Sequence, residues 1–345
     1  MFGFDNRFMR RALSLAANGI GFVSPNPMVG CVIADSHGRI IGEGHHRVYG
    51  QGHAEVNAVA SVRGEDRHLL AEATAYVTLE PCSHYGKTPP CARLLIDNHI
   101  PRVVVAATDP FPAVAGRGIA MLRQAGVQVV EGVMAEESRR LNAVFITAHS
   151  QKRPFVTLKW ARSADGFMDV KRTNDSQAAK FSSRLGSTVV HRLRSLHDAI
   201  LVGSSTVIAD NPRLDVRLFP GRSPRPVVLD RRGRIASGFL LEDRNDTLLL
   251  RDCETVESVL TSLYDHGITS VLVEGGPTVL SSFIASGFWD MARIETSPVI
   301  LGDKGNAKSP ALERTPLKTC RIGANTVEFY SNNSLLTATH PFCDA

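Results

Sequence analysis

The sequence has few features of a secreted or membrane protein. Only six of its 345 residues are cysteines, and they are spread along the chain. This spacing favours free thiols or a metal site over a disulfide framework. No apolar run reaches the roughly eighteen residues of a membrane helix, and the first eleven residues lack the apolar core and cleavage site of a signal peptide. We therefore expect a cytoplasmic protein with no membrane partner.

Aromatic residues are also scarce, at 6% of the chain, and the basic residues are dispersed. Nucleic-acid-binding surfaces usually combine a basic stripe with interleaved aromatic side chains, so no nucleic-acid partner is expected. The only clusters are short, such as Arg10-Arg11 and Arg231-Arg232, and most of the basic residues are interpreted as solvated surface. The net charge of +5 instead suits a small phosphorylated ligand.

Length and periodicity indicate two α/β domains. A chain of 345 residues exceeds what one hydrophobic core usually organises, and 43% apolar residues is typical of a globular protein. Strand and helix patterns alternate in both halves, but periodicity lapses in the polar stretch 148–154. We predict one domain over 1–148 and a second over 152–345.

Hydrophobic periodicity places the elements approximately, with a partly ordered tail after Tyr330. Helices are predicted over 6–19, 54–62, 92–98, 118–125, 188–196 and 278–285. Strands are predicted over 29–34, 39–42, 75–79, 102–107, 127–130, 155–160, 198–203, 225–230 and 270–274, the first two as a hairpin.

Four residues in the first half form a pattern typical of a catalytic zinc site. Glu55 lies two residues after His53, and Cys82 and Cys91 follow the predicted strand 75–79. Two thiolates and one imidazole leave one position of tetrahedral zinc open for water. Zinc lowers the pKa of bound water to about 7, and a nearby carboxylate can then carry protons. The pattern predicts one zinc ion bound by His53, Cys82 and Cys91, with Glu55 as the catalytic proton carrier.

The sequence His-x-Glu, followed by Pro-Cys and a second cysteine, is also the signature of zinc nucleobase deaminases. Positions two apart do not share a helix face, so His53 and Glu55 can reach one metal only if His53 lies at the edge of the first turn. Gly50 and Gly52 permit such an entry. A surface histidine, core thiols and a solvated glutamate are each common singly, but their joint occurrence in this order makes that interpretation weaker.

Eight residues separate Cys82 from Cys91, whereas most zinc deaminases have two. With this gap, the segment 81–91 (PCSHYGKTPPC) closely resembles the bifunctional riboflavin-biosynthesis deaminase/reductase family. Further matches span nearly the whole chain, at 26–30 (NPMVG), 44–46 (GHH), 109–110 (DP), 116–118 (GRG), 163–166 (SADG), 206–212 (TVIADNP) and 273–278 (VEGGPT).

This resemblance implies two successive reactions on one small phosphorylated pyrimidine. The first is hydrolytic loss of the 2-amino group of 2,5-diamino-6-(5-phosphoribosylamino)pyrimidin-4(3H)-one. The second is NADPH-dependent reduction of its ribosyl group to a ribityl chain. The resemblance also implies a cytidine-deaminase-like three-layer domain followed by a dihydrofolate-reductase-like α/β domain, in a homo-oligomer.

In the deaminase pocket, the resemblance implies substrate contacts from Asn26, His45, His84 and Lys87. These side chains can bind the polar edge of a pyrimidine and a phosphate. Without the resemblance, His45 and His84 would be interpreted equally well as solvated loop histidines.

The second half lacks a GxGxxG motif after its first strand, and therefore lacks the usual Rossmann fingerprint. The turn 274–278 is the best candidate for a phosphate site, because its glycines permit close approach and a helix N-terminus follows. From the residues alone, a plain strand-to-helix turn is an equal alternative. The resemblance implies that this turn binds NADPH.

For the reductase half, the resemblance implies two sets of ligand-binding residues. The NADPH contacts are Ala161, Thr206, Asp210, Gly276, Pro277, Thr278, Val279, Leu280, Ser281 and Ser282. The substrate contacts are Ser176, Arg194, Leu214, Arg217 and Glu274, whose two arginines suit a 5′-phosphate but could also be surface charges. Our own hypothesis is that Lys159, on the first strand, is a polar group near the reacting sugar.

The segment 174–182 (NDSQAAKFS) departs from the family pattern GESxWIT, and its tryptophan is absent. Asn211 replaces a frequent aspartate and Phe111 a frequent asparagine. The family's contacts in these segments therefore do not transfer directly, and reductase activity is less firmly predicted than deaminase activity.

Two other functions were compatible with the zinc pattern itself. One is a deaminase of nucleosides or RNA bases whose second domain only binds; it would need a splayed-base pocket and a basic channel. The other is a structural zinc protein without catalysis, in which Glu55 would have no proton to transfer.

Overall fold

A computed structural model of the chain describes residues 2–84, 89–109, 115–172, 178–235, 238–239 and 241–344. It divides into two compact units, Met1–Gln151 and Lys152–Ala345. Both units are α/β, as the sequence patterns predict. None of the helices within these ranges is long and apolar enough to span a bilayer.

The first unit is a five-stranded sheet with helices on both faces. Its helices are α1 (Phe2–Ala16), α2 (Ala54–Ser61), α3 (Cys91–Asp97), α4 (Arg117–Gln124), α5 (Ala135–Leu141) and α6 (Ala143–Gln151). Its strands are β1 (Gly30–Ala34), β2 (Ile40–His45), β3 (Thr74–Leu79), β4 (Arg102–Ala107) and β5 (Gln128–Glu131). The strand order is β2-β1-β3-β4-β5, with β3, β4 and β5 parallel. The predicted hairpin is confirmed, since β1 pairs antiparallel with β2.

Alternation along β1 produces the two apolar layers of this unit. Val32 packs in a cluster with Phe8 of α1, whereas its neighbour Ile33 packs in another cluster with Ala58 of α2. At Gly44 of β2, a Cβ would collide with the backbone of α2. The absence of a side chain there lets the N-terminal turn of α2 lie directly on the sheet.

The second unit contains an eight-stranded sheet. Its helices are α7 (Arg184–Ser195), α8 (Ser204–Asp210), α9 (Val256–Asp265) and α10 (Pro277–Ser286). Its strands are β6 (Phe155–Arg162), β7 (Phe167–Val170), β8 (Ala199–Gly203), β9 (Arg225–Leu229), β10 (Leu248–Leu250), β11 (Ser270–Val273), β12 (Met291–Thr296), β13 (Gly305–Lys308), β14 (Lys318–Ile322) and β15 (Asn325–Ser331). The strand order is β10-β9-β8-β11-β6-β12-β15-β14, and β7 pairs separately with β13.

The first six strands in this order are parallel, and only β15 and β14 run antiparallel to their neighbours. Carboxyl ends of the parallel strands therefore share one edge, where α/β folds usually bind ligands. An apolar cluster lies under α9 and α10 and includes Leu158, Val271 and Phe283.

The expectation of a partly ordered tail is wrong for the last described residues. Phe342 is 2% exposed, and its ring centroid lies 4.9 Å from that of His197 and 5.8 Å from that of Phe155 on β6. Leu336 and His340 are buried as well. The polar composition after Tyr330 hid these few apolar and aromatic anchors.

Candidate active sites

Three metal-ligand types converge in the first unit. His53 precedes α2, Cys82 follows β3 after two intervening residues, and Cys91 is the first residue of α3. Their donor atoms all lie within 4.8 Å of one another. The Nδ1 atom of His53 is 3.7 Å from Sγ of Cys82 and 3.4 Å from Sγ of Cys91.

The backbone explains how His53 and Glu55 reach the same place. His53 is the N-cap residue of α2 and has extended backbone angles, φ −68° and ψ 172°. It therefore lies just outside the helix, while Glu55 lies in the first turn. The two-residue spacing required His53 to lie at the edge of the first helical turn, and the structure places it there.

The two thiols are electrostatically coupled. A hydrogen bond from Cys91 lowers the pKa of Cys82, helped by His53, and the backbone N–H of Cys91 also donates to Sγ of Cys82 at 3.2 Å. The contact with Cys82, together with burial, raises the pKa of Cys91. The pair thus favours a single thiolate by itself, whereas a bound dication would ionise both thiols. This donor set suits Zn²⁺.

Glu55 lies beside these donors and is 3% exposed. Burial raises the pKa of Glu55 to about 7, helped by the charge of Cys82 and opposed in part by His53 and a hydrogen bond with Cys91. A carboxyl group in this range can both accept and release a proton near neutral pH.

A cavity of about 370 Å³ opens above the donors and Glu55. The sequence predicted Asn26, His84, His53, Glu55 and Cys82 at this site, and all of them line the cavity. The other described lining residues were not predicted as site residues: Pro25, Pro27, Val29, His46, Leu79, Glu80, Asp109, Phe145 and His149. Phe145 and His149 belong to α6 and stack with ring centroids 4.4 Å apart.

Asn26 and His46 form a fixed polar pair in the cavity wall. Nδ1 of His46 is 3.2 Å from the carbonyl oxygen of Gly52, so it must carry the proton, and Nε2 then accepts from Nδ2 of Asn26 at 3.1 Å. Burial lowers the pKa of His46 and keeps its ring neutral. The predicted His45 is not among the described lining residues, and Lys87 lies outside the described ranges.

Glu80, at the end of β3, holds one wall of the cavity in place. Its carboxylate accepts backbone N–H bonds from Gly116 at 2.9 Å, Gly118 at 2.9 Å, Asp109 at 3.3 Å and Ile119 at 3.4 Å. Three of these donors lie at the start of α4, where a negative charge is favoured. These contacts give Asp109, Gly116 and Gly118 a structural role, which the sequence motifs did not reveal.

The second unit contains a cluster of charges around Lys159. Glu274 accepts from Nε and Nη2 of Arg194 at 3.1 and 2.8 Å. Burial alone would raise the pKa of Glu274, but Arg194 and Lys159 outweigh it and lower the pKa to about 2. The pKa of Lys159 is lowered by burial, against the attraction of Glu274. Three sequence-predicted residues therefore meet here.

The remaining predicted substrate residues lie in different surroundings. Arg217 forms an ion pair with Asp215 and has a side chain that is 52% exposed. Leu214 is buried, with a positive φ of 52°. Ser176 lies outside the described ranges, as do Phe111 and Lys87.

A second cavity, of about 410 Å³, lies at the turn before α10. Predicted cofactor residues Thr206, Gly276, Pro277, Thr278, Val279 and Ser282 line it. Leu280 is fully buried in the core and Ser281 faces outward as an exposed residue. Among the described residues, neither Ala161 nor Asp210 lines this cavity. Asp210 is instead paired with Arg172 at 2.5 Å.

Three arginines also line this second cavity: Arg231, Arg232 and Arg234. The sequence interpretation of Arg231-Arg232 as merely solvated surface is incomplete, because both residues are exposed yet face a concave site. Free N–H groups at the start of α10 and nearby guanidinium groups fit a phosphate-bearing dinucleotide such as NADPH.

Two family models match the chain. Residues 3–107 match the cytidine and deoxycytidylate deaminase zinc-binding region, and residues 154–327 match the RibD C-terminal domain. These matches confirm the deaminase-like unit and the dihydrofolate-reductase-like unit that the resemblance implied.

Curated relatives match over most of their length. The riboflavin biosynthesis protein RibD of Aquifex aeolicus is 37% identical, with 87% of this chain and 88% of the relative covered. RibD of Escherichia coli is 36% identical, with 90% and 92% covered.

Solved structures of such proteins are similar throughout. RibD of Acinetobacter baumannii has a TM-score of 0.85 at 32% identity, with 95% of this chain and 99% of that chain covered. The diaminohydroxyphosphoribosylaminopyrimidine deaminase/5-amino-6-(5-phosphoribosylamino)uracil reductase of Thermotoga maritima has a TM-score of 0.83 at 36% identity, with 95% and 98% covered.

Proposed function

The chain belongs to the RibD family of bifunctional riboflavin-biosynthesis deaminase/reductases, and we propose which of its residues perform the two reactions. Its cofactors are zinc in the first unit and NADPH in the second. The proposed substrate is 2,5-diamino-6-(5-phosphoribosylamino)pyrimidin-4(3H)-one, in agreement with the name of the Thermotoga maritima relative.

In the first reaction, water replaces the 2-amino group of the pyrimidine. Zinc, when bound by His53, Cys82 and Cys91, supplies a Lewis acid and a water of lowered pKa. Glu55 accepts the proton of the attacking water and delivers it to the ring nitrogen. It then transfers the proton of the newly added hydroxyl group to the departing amine, so that the C–N bond breaks, ammonia leaves and a carbonyl remains.

Polar side chains in the cavity wall are proposed to bind the polar edge of the pyrimidine. Because His46 fixes the amide of Asn26, the Asn26 side chain has a defined orientation before substrate arrives. Such preorganised donors and acceptors strongly disfavour rings that leave them unpaired. His84 at the cavity mouth, together with His45 and Lys87, is proposed to contact the more distant parts of the substrate.

In the second reaction, the ribosyl ring opens to an imine and C1′ is reduced. NADPH, when bound, supplies the hydride. Lys159 lies among the charges of Glu274 and Arg194 and is proposed to donate a proton as the imine is reduced. Arg194 is held by Glu274 and by the carbonyl of Asp215 at 3.2 Å, so the more exposed Arg217 is better placed to anchor the 5′-phosphate.

The observation that carries the deaminase assignment is the position of Glu55, buried beside three converging zinc-type donors at a cavity wall. A structural zinc protein would not require that carboxylate. The described lining of this cavity contains no lysine or arginine, which supports a small free pyrimidine over a base in RNA, because an RNA strand would need a basic channel.

One assay separates the two reactions. Purified protein is incubated with the diaminopyrimidinone, with and without NADPH, while ammonia release and NADPH oxidation are followed independently. We expect ammonia in both incubations and NADPH oxidation only after deamination. Ammonia release from cytidine or an RNA hairpin, but not from the diaminopyrimidinone, would contradict the proposed substrate.

We also propose that the protein is a homo-oligomer. Val299 and Ile300 are adjacent apolar residues that are 49% and 73% exposed, and homo-oligomer interfaces commonly bury such side chains. Sedimentation velocity of the purified protein would measure the mass; a monomer at micromolar concentration would contradict this proposal.

A further inference from the structure

Strand β12 carries two charged side chains into the interior of the second unit. Arg293 and Glu295 are both 0% exposed, and as alternate residues of one strand they lie on the same face of the sheet. Nη1 of Arg293 donates to Oε2 of Glu295 at 3.2 Å. A buried ion pair usually stabilises a fold no better than apolar side chains of similar volume would. The presence of this pair in a central strand therefore calls for an explanation other than stability.

The two charges of this pair are unequally compensated. Glu295 also accepts from Nδ2 of Asn325 at 2.6 Å. Burial alone would raise the pKa of Glu295, but this hydrogen bond and the nearby cations outweigh it and lower the pKa. Within the described ranges, Nε and Nη2 of Arg293 have no hydrogen-bond partner. A single hydrogen bond therefore balances the positive charge of Arg293 only in part.

This partly balanced charge lies beside Lys159. In the parallel register of β12 and β6, Arg293 is the partner of Lys159, and Glu295 is the partner of Ala161. Lys159 keeps some exposed surface, whereas the pair on β12 has none. Arg293 and Glu295 are therefore closed off from a substrate, and an effect of theirs on the reduction has to pass through Lys159.

Among the described residues, four charged side chains act on Lys159: Glu274 after β11, Arg194 of α7, and Arg293 and Glu295 of β12. Burial contributes most to the lowered pKa of Lys159, and Glu274 opposes it. Of the two cations, Arg293 repels the ammonium group more strongly than Arg194 does. The attraction of Glu295 is weaker than the repulsion of Arg293. The pair on β12 as a whole therefore favours loss of the proton from Lys159.

We propose that Arg293 and Glu295 are positioning residues of the reductase that set how readily Lys159 releases its proton: Arg293 repels the ammonium group, and Glu295 limits that repulsion. This inference rests on the proposed role of Lys159 as proton donor. In that reaction, C1′ of the imine accepts the hydride while the imine nitrogen takes the proton of Lys159. An acid is most effective when its pKa lies near the working pH, and an ordinary lysine holds its proton too tightly for this task.

The pH dependence of kcat for NADPH oxidation, with saturating deaminated substrate, tests the proposal. Since Lys159 has to be protonated, kcat should fall on the alkaline side, and Lys159→Met should lack this alkaline limb. Arg293→Gln removes a repulsion, so the limb should move to higher pH by about one unit. Glu295→Gln removes an attraction, so the limb should move to lower pH. Shifts of the two single variants in the same direction, or no shift in either, would overturn the proposal.

Further variants distinguish the effect of charge from general damage. Arg293→Gln/Glu295→Gln removes two opposite charges, so its alkaline limb should return close to the wild-type pH. Arg293→Lys keeps the positive charge and should also stay close to wild type. Arg153→Gln is the matched control, because it breaks the largely buried ion pair with Asp290 just before β6. It should lower the free energy of unfolding without moving the limb; a limb that moves equally in Arg153→Gln would overturn the proposal.

Carbon-13 NMR of the lysine ε-carbons measures the proton of Lys159 without turnover, and Lys159→Met identifies its resonance. In the wild-type protein this resonance should titrate below the ordinary lysine pKa of 10.5. It should titrate at higher pH in Arg293→Gln and at lower pH in Glu295→Gln. Titration at or above 10.5 in the wild-type protein would overturn the proposal, even if neither variant folds. Shifted titrations in both variants, without an alkaline limb in kcat, would support the effect of the pair and overturn the proposed donor role of Lys159.

Discussion

Arg194 and Glu274 form a two-bond ion pair that joins α7 to the end of β11, with N–O distances of 3.1 and 2.8 Å. Their side chains are 14% and 10% exposed. The pair therefore fixes Glu274 immediately before the turn that we propose to bind the cofactor, and it places a carboxylate within the electrostatic reach of Lys159. One contact thus links α7, the charges around Lys159 and the turn before α10.

We predict that the second unit becomes less stable in acid, because this ion pair is lost when Glu274 is protonated. The pKa of Glu274 is about 2 in the folded protein and 4.5 ordinarily. Because the folded pKa is the lower one, the stabilisation is complete above pH 4.5 and is lost as the pH falls towards 2. Linkage gives a loss of about 1 kcal/mol by pH 4 from this group.

Denaturant unfolding of wild-type protein and Glu274→Gln would measure this effect. The variant should lose about 3 kcal/mol at pH 7, because it leaves Arg194 buried without its partner. The difference between the two proteins should shrink at pH 4. A difference that stays constant from pH 7 to pH 4 would contradict the assignment.

Glu55→Gln should abolish ammonia release while zinc remains bound. The amide cannot transfer protons, and loss of a general acid–base group typically slows a reaction by about 10²- to 10⁴-fold. Ammonia production and bound zinc per chain are the two measurements. Glu65→Gln, which alters an exposed glutamate outside the cavity, is the control and should retain full activity.

Cys91→Ser should lose zinc and deaminase activity together. Replacing one of two thiolates weakens the donor set, which needs soft ligands to hold the ion. Zinc content and ammonia release should both fall, but NADPH oxidation with previously deaminated substrate should continue. Cys320→Ser, on β14 of the other unit, should keep its zinc; a parallel loss there would indicate general damage.

Lys159→Met should slow the reductase and spare the deaminase. The substitution keeps much of the side-chain volume but removes the proton donor, so we expect NADPH oxidation to fall by about 10²-fold or more with saturating deaminated substrate. Lys304→Met, at an exposed position, is the matched control. Unchanged NADPH oxidation in Lys159→Met would show that Lys159 has no role in the reaction.

The metal centre could be predicted from sequence because its chemistry is local. His53 and Glu55 are two residues apart, and eight residues separate Cys82 from Cys91, so their types and order already indicate a shared metal ion. Regular apolar periodicity likewise predicted β3 and β4 within one residue of their observed bounds.

Other parts of the site depend on packing that the sequence does not display. Helix α6 was not predicted from the sequence, and Phe145 and His149 lie at the cavity wall only because this helix brings them there. Which of the two histidines lines the cavity, His45 or His46, depends on the direction in which the chain leaves β2. The structural role of Glu80 becomes evident only from the four backbone N–H groups that converge on its carboxylate.

Strand β12 was missed for a different reason. It lies between β6 and β15, yet it carries Arg293 and Glu295, which are both 0% exposed and are bonded to each other at 3.2 Å. Buried charges interrupt the continuous apolar run that normally identifies a central strand. In the folded unit Glu295 accepts from Arg293 and from Nδ2 of Asn325 at 2.6 Å, contacts that the sequence does not reveal.

The packing of Phe342 on Phe155 and His197 has a consequence for biosynthesis. Phe155 begins the first strand of the second unit, so its aromatic neighbour is synthesised only after every other strand of that unit. A ribosome-bound chain that stops short of residue 342 exposes this aromatic surface. The second unit therefore completes its core late in translation, and contacts between such distant parts of a chain are expected to form slowly.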